Sequence, residues 1–251
     1  MKNQNRQPRK FCILTTQRSG STWLSTLLDS NPQIQGFREL FIDQEFVFPD
    51  TQLSTFPLYQ KNNSGSRPGV TFEYLSKLDD YLGDQETIGF KLMYDQLLDY
   101  PELILKFITE KYKFIHLVRE NHLDVVISGK IKDDLGAAHF KVKIEPKKVY
   151  LEPSWLIKNL KKRDLKRKLA HVFLAIMPNE VLNITYDDLR TDRDKTLTQI
   201  SEFLSLNNEN QGVFNSELKK INRKSHQEMI QNYEEVQSVL SGTKFVNYLN
   251  P

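Results

Sequence analysis

The stretch FCILTTQRSGSTWLSTLL, residues 11–28, decides the fold. It opens with four apolar residues in an unbroken run, which predicts a short buried strand. A polar loop with a single glycine, Gly20, comes next, and apolar residues then recur at helical spacing. The helix is expected to end near Asn31 and Pro32, because a residue before proline avoids the α region. The stretch therefore predicts a strand, a tight loop and a helix in that order.

A loop in this position is suited to bind an anion. The first N–H groups of the helix have no partner within it, and the positive end of the helix dipole points the same way. Gly20 lets the loop approach a ligand closely, and Arg18 adds a fixed positive charge. Hydroxyl donors come from Ser19, Ser21 and Thr22. The motif of P-loop nucleotidases is absent, since Thr15 stands where its first glycine would be and no lysine follows Gly20. Read alone, the loop is more readily interpreted as an ordinary serine-rich turn.

Two segments resemble the donor-binding motifs of sulfotransferases that use 3′-phosphoadenosine 5′-phosphosulfate (PAPS). TQRSGSTWL, residues 16–24, resembles the family's 5′-phosphosulfate loop. FIHLVR, residues 114–119, with Ser128 nine residues after the arginine, resembles its 3′-phosphate motif. Arg18 and this interval are similar to bacterial carbohydrate and small-molecule sulfotransferases. The resemblance continues through ITYDDL and NYEEV, at 184–189 and 232–236, and so covers nearly the whole chain.

The resemblance implies an α/β fold, a three-layer domain with a central, mainly parallel sheet. It implies transfer of a sulfonate group from PAPS to a hydroxyl group, or less readily to an amine. The residues implied to hold the 5′-phosphosulfate are Arg18, Ser19, Gly20, Ser21, Thr22 and Trp23. Arg119 and Ser128 are implied to hold the 3′-phosphate, which a guanidinium matches in bidentate fashion. Arg223 and Lys224 are further candidates for that phosphate from the C-terminal segment.

Three residues form the predicted catalytic set: Glu39, Lys91 and Arg18. Sulfonate transfer to an alcohol releases a proton, and the resemblance implies that Glu39 is the general base that accepts it. Lys91 ends a predicted strand, where open α/β sheets place ligand groups, and its charge would stabilise the bridging oxygen of the leaving phosphate. The alternatives are that Glu39 caps a turn or pairs with Arg38 or Arg18, and that Lys91 has a buried stem and a solvated head.

The acceptor is predicted to be a small molecule or a saccharide. Phe37, in an aromatic-rich segment, is a candidate acceptor contact. His139, in a polar segment, is a candidate second base or acceptor contact, and the alternative is a solvated loop histidine. Residues 51–70 are rich in Ser, Asn, Gly and Pro and are predicted to be a surface loop, either bordering the acceptor site or a passive insertion. His116 lies within a predicted strand and is interpreted as a core histidine.

Composition and charge exclude several classes of protein. The net charge of +3 is too small to indicate nucleic-acid binding, and the basic residues at 161–168 are interpreted as a solvated helix face. Cys12 is the only cysteine, so no intrachain disulfide forms, and a buried, inert thiol is expected. No apolar run approaches the ~18 residues of a membrane span. We expect a cytoplasmic protein with a flexible basic tail, residues 1–10, and a single domain, residues 11–251.

The remaining elements are read from periodicity. Strands are predicted at 87–94, 113–118 and 181–184, and helices at 95–107, 122–131, 153–173, 192–204 and 227–240.

No acidic Walker B segment is visible, so no metal is predicted. Two rival functions remain open: a P-loop kinase or nucleotide hydrolase, which needs the missing lysine and Mg²⁺, and a PAPS- or glycan-binding module in which Glu39 does no chemistry.

Overall fold

The computed structural model describes residues 8–135, 148–206, 214–215 and 225–249. The chain forms two compact units, each with its own hydrophobic core. The first unit comprises Met1–Val118 and Leu174–Ser216, and the second Arg119–Phe173 and Glu217–Pro251.

The first unit contains a parallel sheet, which has five strands in the described ranges. In chain order they are β1 Arg9–Thr15, β2 Ile34–Glu39, β3 Thr87–Met93, β4 Lys113–Val118 and β5 Val181–Thr185. Their order across the sheet is β2-β3-β1-β4-β5, and every neighbouring pair is parallel. β1 lies at the centre and is buried on both faces, which explains its unbroken apolar run.

The described helices follow the strands in alternation. They are α1 Ser21–Asp29, α2 Phe56–Asn62, α3 Arg67–Lys77, α4 Tyr94–Asp99, α5 Leu103–Thr109, α6 His122–Leu135, α7 Pro153–Ile176, α8 Tyr186–Thr191, α9 Arg193–Phe203, α10 His226–Met229 and α11 Tyr233–Ser241, with 3₁₀ helices at Leu78–Tyr81 and Val246–Leu249. No helix in the described ranges is long and apolar enough to cross a membrane.

Both faces of the sheet are covered, as the α/β prediction requires. On one face, side chains of β1, β4 and β5 pack against α1, α8 and α9, with Leu24, Leu27 and Ile200 fully buried. On the other face, an aromatic cluster forms around Phe41 and Phe90. The three-layer α/β architecture is confirmed. The second unit packs α6, α7 and α11 around a separate apolar cluster.

The prediction of a loop at residues 51–70 is wrong. This segment contains α2 and the beginning of α3. Pro57 and Pro68 stand in the first turn of each helix, where a missing N–H costs no hydrogen bond, and Ser66 caps α3 by accepting from the Gly69 amide. Prolines that were interpreted as loop residues are therefore helix starts.

Other boundaries differ for equally local reasons. The predicted helix at 95–107 is two helices, α4 and α5, with Pro101 between them, and the predicted final helix is α10 and α11. β2 was not predicted, and β1 begins at Arg9, inside the expected tail. Lys10 in β1 is buried, and its ammonium lies 2.8 Å from carboxylates of Asp79 and Glu110.

The apolar side predicted for α7 is buried only in its first half. Leu156 and Leu160 are fully buried, whereas Leu165, Leu169 and Val172 are 57–59 % exposed. In the second half the buried residues are Asp164, Ala170 and Leu174, which lie on the same side of the helix as Leu156 and Leu160. Leu165, Leu169 and Val172 lie on the opposite side, so their assignment to one apolar side with Leu156 was wrong.

Candidate functional site

The loop between β1 and α1 has an unusual backbone. Arg18 and Gly20 both have left-handed conformations, with φ of 64° and 88°. Gly20 is the N-cap of α1, and no side chain caps this helix. A Cβ atom at position 20 would lie 2.4 Å from the Tyr186 ring, so only glycine fits there. The N-terminal amides of α1 are thus presented without a side-chain cap, as an anion site requires.

Two hydroxyl groups fix this loop to the sheet. The Thr15 hydroxyl, at the end of β1, donates to the Leu117 carbonyl of β4 at 2.7 Å. Its oxygen lies 2.6 Å from the Ser19 hydroxyl, which is fully buried. Because the Thr15 proton is used on the carbonyl, Ser19 is the donor of this pair. The Ser19 hydroxyl therefore holds the loop in place.

An aromatic pair closes over the start of α1. The Trp23 and Tyr186 rings meet edge to face, with centroids 6.3 Å apart. Tyr186 begins α8, which has a reciprocal cap: the Thr185 hydroxyl accepts from the Asp188 amide, and the Asp188 carboxylate accepts from the Thr185 amide and hydroxyl. The ITYDDL segment thus holds the tyrosine ring against the glycine loop.

Glu39 and Lys91 form an ion pair at the carboxyl ends of β2 and β3. The two strands pair these residues directly, after a register shift between Phe37 and Glu39. The Lys91 ammonium lies 3.4 Å from Glu39 Oε2, and the side chains are 10 % and 17 % exposed. Burial lowers the pKa of Lys91, and the Glu39 carboxylate opposes that shift.

A third group, Gln96 of α4, fixes the Glu39 carboxylate. Its amide nitrogen donates to Glu39 Oε1 at 2.7 Å, and its amide oxygen accepts from the Met93 N–H at 2.8 Å. The sequence offered Arg38 and Arg18 as partners for Glu39, whereas the carboxylate contacts Lys91 and Gln96. Arg38 is exposed and lies 3.7 Å from Asp50. Each Glu39 oxygen therefore has its own partner, one neutral and one charged.

His116 is held within the sheet. Its Nε2 lies 2.7 Å from the Tyr94 hydroxyl and its Nδ1 lies 2.9 Å from Asn183 Oδ1, and the side chain is buried. Since an amide oxygen only accepts, Nδ1 donates to Asn183, and Nε2 is hydrogen-bonded to the tyrosine hydroxyl. The interpretation of His116 as a satisfied core histidine agrees with these contacts.

In the second unit, Arg119 directly follows β4 and pairs with Asp124 of α6. Arg119 Nη2 donates to Asp124 Oδ2 at 2.9 Å, and both side chains are largely buried. The other Asp124 oxygen lies 2.7 Å from His226 Nε2. Ser128 is on α6 and is half-buried.

A family model described as "Sulfotransferase domain" matches residues 8–247. The chain belongs to this family. Its fold is similar to that of the sulfotransferase domain from the curacin biosynthetic pathway, with a TM-score of 0.50 at 16 % identity, over 94 % of this chain and 97 % of that one. A search of curated proteins finds no significant match.

Two further solved sulfotransferases are similar at lower scores. The enzyme from Alicyclobacillus acidocaldarius has a TM-score of 0.47 at 13 % identity, over 97 % of this chain and 94 % of that one. The mouse sulfotransferase SULT7A1, solved as a complex with PAP, has a TM-score of 0.45 at 16 % identity, over 97 % and 78 %. The sequence-based recognition of a sulfotransferase is confirmed by the family match.

The structure of this sulfotransferase brings together some of the predicted residues and leaves others apart. Glu39 and Lys91, singled out separately, are in contact, and Gln96 joins them without having been predicted. Phe37 is buried, with its ring edge to face with Tyr81 at 5.9 Å, so its contact with an acceptor stays a prediction. His139, Arg223 and Lys224 lie outside the described residues.

Cys12 and the side chains that could ligate a metal bear on two further predictions for this sulfotransferase. Cys12 is fully buried, and burial raises the pKa of its thiol, so the prediction of an inert thiol agrees with the structure. Within the described ranges, no three His, Cys, Asp or Glu side chains are grouped so that they could hold a metal ion.

Proposed function

We propose that this sulfotransferase transfers the sulfonate group of PAPS to a hydroxyl group of a small-molecule or carbohydrate acceptor. The observation that carries the proposal is the Glu39 carboxylate, held by Gln96 at 2.7 Å and by Lys91 at 3.4 Å. It lies at the carboxyl edge of the same sheet that presents the glycine loop, where parallel α/β sheets bind ligands.

Glu39 is the proposed general base. The acceptor oxygen forms a bond to sulfur while the bond from sulfur to the bridging phosphate oxygen breaks, and the hydroxyl proton passes to the Glu39 carboxylate. The products are the sulfated acceptor and adenosine 3′,5′-bisphosphate. Gln96 holds Oε1, so the carboxylate is oriented before the acceptor arrives.

Lys91 supplies positive charge to the same step. While Glu39 is ionised, the ammonium is balanced by the carboxylate. Once Glu39 accepts a proton, that balance is lost, and the charge of Lys91 becomes available to the departing phosphate oxygen. The buried ion pair thus couples acceptance of the proton to stabilisation of the leaving group.

The donor-binding residues are assigned by the same proposal. Arg18, Ser21, Thr22 and Trp23 hold the 5′-phosphosulfate with the N-terminal amides of α1, which have no side-chain cap. The hydroxyl of Ser19 is hydrogen-bonded to Thr15. Ser19 therefore contacts the 5′-phosphosulfate through its backbone N–H, as Gly20 does.

The 3′-phosphate is assigned to one residue just before α6, one residue within α6 and one from the C-terminal segment. Arg119 and Ser128 bind it, together with Arg223 or Lys224. Arg119 suits this role because a guanidinium has five N–H donors, so its contact with Asp124 is compatible with a phosphate contact. No metal ion is assigned, because catalysis is derived from Glu39, Lys91 and Arg18.

Calorimetric titration tests the donor. Adenosine 3′,5′-bisphosphate is expected to bind more tightly than AMP or ADP, and Arg119→Ala should abolish this preference. Equal binding of all three nucleotides by the wild type would contradict the proposal and favour a P-loop nucleotidase. Selective binding with no turnover of any hydroxyl acceptor would indicate a binding module instead.

A further inference from the structure

A chain of hydrogen bonds leads from the C-terminal segment to Arg119 within the second unit. Arg119 Nη2 donates to Asp124 Oδ2 at 2.9 Å, and Asp124 Oδ1 lies 2.7 Å from His226 Nε2. His226 Nδ1 lies 3.2 Å from the Leu249 carbonyl oxygen. A carboxylate oxygen only accepts, so the His226 ring donates to Asp124 through Nε2.

Because these three side chains are buried, the charge of Asp124 must be balanced by protein groups rather than by water. The Asp124 side chain is 5 % exposed, that of His226 is 2 % exposed, and that of Arg119 is 12 % exposed. A buried carboxylate is stable only when it is paired and hydrogen-bonded. Since each Asp124 oxygen is bonded to a different residue, the carboxylate has one favoured orientation, and the guanidinium bonded to it is oriented as well.

A second set of contacts joins the short segment after β4, which contains Asn121 and His122, to the C-terminal 3₁₀ helix, Val246–Leu249. Asn121 Oδ1 accepts from the Asp124 N–H at 3.2 Å, and Asn121 Nδ2 donates to the Tyr248 carbonyl at 2.9 Å. The His122 ring meets the Tyr248 ring edge to face at 5.7 Å. The short segment after β4 therefore depends on residues near the C-terminus for its conformation.

We propose that Asp124 and His226 are positioning residues that orient Arg119 toward the 3′-phosphate of the donor nucleotide. This inference rests on the proposed function, in which Arg119 binds that phosphate. Without the His226 donor, Oδ1 of Asp124 also turns to Arg119. The guanidinium is then held by two carboxylate oxygens, and less of its donor capacity faces the nucleotide. The C-terminal segment thereby sets the selectivity for 3′-phosphorylated nucleotides.

The matched variants are His226→Leu, which removes the Nε2 donor to Asp124, and His226→Gln, which keeps an amide donor for it. Calorimetry gives the ratio of the dissociation constants for AMP and adenosine 3′,5′-bisphosphate. His226→Leu is expected to lower this ratio about tenfold, the effect of losing one hydrogen bond to a charged group. His226→Gln should restore most of it. Asp124→Asn, which keeps the size but loses the charge, should lower the ratio as well.

Ser225→Ala is the control for a purely structural effect. Ser225 caps α10, which contains His226, and its hydroxyl is hydrogen-bonded to Glu228, so its loss should lower the melting temperature and leave the ratio unchanged. An unchanged ratio in folded His226→Leu and Asp124→Asn, or equal weakening of both nucleotides, would overturn the inference. If the wild type itself does not discriminate between the nucleotides, the proposed function fails, which is a different result. If His226→Leu does not fold, Asp124→Asn and His226→Gln decide.

Discussion

At the scale of single residues, the two oxygens of Glu39 have different partners. Oε1 accepts from the Gln96 amide, and Oε2 faces the Lys91 ammonium. Glu39→Gln keeps an oxygen for Gln96 but provides no group that accepts a proton. Loss of a general base typically lowers the rate by about 10²- to 10⁴-fold. We expect kcat to fall by that order while adenosine 3′,5′-bisphosphate binds as in the wild type.

The control for this prediction is Glu45→Gln. Glu45 is exposed and pairs with Lys61, so its charge is lost without any change near Glu39. Its kcat should match the wild type. Turnover by Glu39→Gln at the wild-type rate would exclude Glu39 as the base.

Lys91 gives a prediction for the dependence of kcat on pH. Burial favours the neutral amine and therefore lowers the pKa of Lys91 from its ordinary value of 10.5. If its charge stabilises the leaving group, kcat falls on the alkaline side as the pH rises through that lowered pKa. Arginine keeps its charge over this range, so Lys91→Arg should remove the alkaline decline even where its kcat at neutral pH is lower.

A full pH profile of kcat checks this prediction, with Lys61→Arg as the control at an exposed position. The control should have the wild-type profile. A wild-type profile that stays flat up to pH 10.5 would show that the charge of Lys91 does not contribute to the chemical step.

At the scale of elements, the start of α1 depends on a glycine that is crowded by another element. Gly20 has a φ of 88°, and its missing Cβ leaves room for the Tyr186 ring of α8. Gly20→Ala must both displace that ring and hold alanine in a left-handed conformation, which costs about 1–3 kcal/mol. We expect a lower free energy of unfolding and weaker binding of adenosine 3′,5′-bisphosphate.

Gly129→Ala is the matched substitution. Gly129 lies within α6, and apart from its chain neighbours and the helix's own backbone no atom of the described residues comes within 4 Å of a Cβ placed there. Alanine in a helix interior stabilises by about 0.5–1 kcal/mol relative to glycine. Chemical denaturation of both variants should therefore give shifts of opposite sign. Equal stability of the two would contradict the crowding of Gly20 by Tyr186.

At the scale of the whole molecule, the sequence predicts those parts of the fold that are specified locally. β1 and β4 are buried on both faces, and their apolar runs identify them. β2 is an edge strand in which Gln35, Gly36 and Arg38 are accessible, so its sequence carries no comparable signal. The helices α2 and α3 were missed because proline was interpreted as a loop residue rather than a helix start.

The candidate site, like the fold, is predicted only in part from the sequence. Glu39 and Lys91 were predicted from chemistry and resemblance, but their contact depends on the register of β2 against β3 and on the irregularity before Glu39. Gln96 contacts Glu39 across 57 positions, and His226 contacts Asp124 across 102. Such pairs leave no periodic pattern in one sequence. Two of the residues that the sequence did not single out still lie within motifs that it identified. Tyr186 is part of ITYDDL, and Asp124 lies between Arg119 and Ser128.

The stability of the whole chain should report donor binding. A ligand that binds the folded protein alone stabilises it by about 2.7 kcal/mol at 100 times its dissociation constant. For a protein of 150–250 residues, each kcal/mol shifts the melting temperature by about 2–4 °C, so adenosine 3′,5′-bisphosphate should raise it by about 5–10 °C. AMP at the same concentration lacks the 3′-phosphate contact with Arg119, and should raise the melting temperature much less. Arg119→Ala should bring the two nucleotides to the same small shift, and equal large shifts in that variant would remove Arg119 from the binding site.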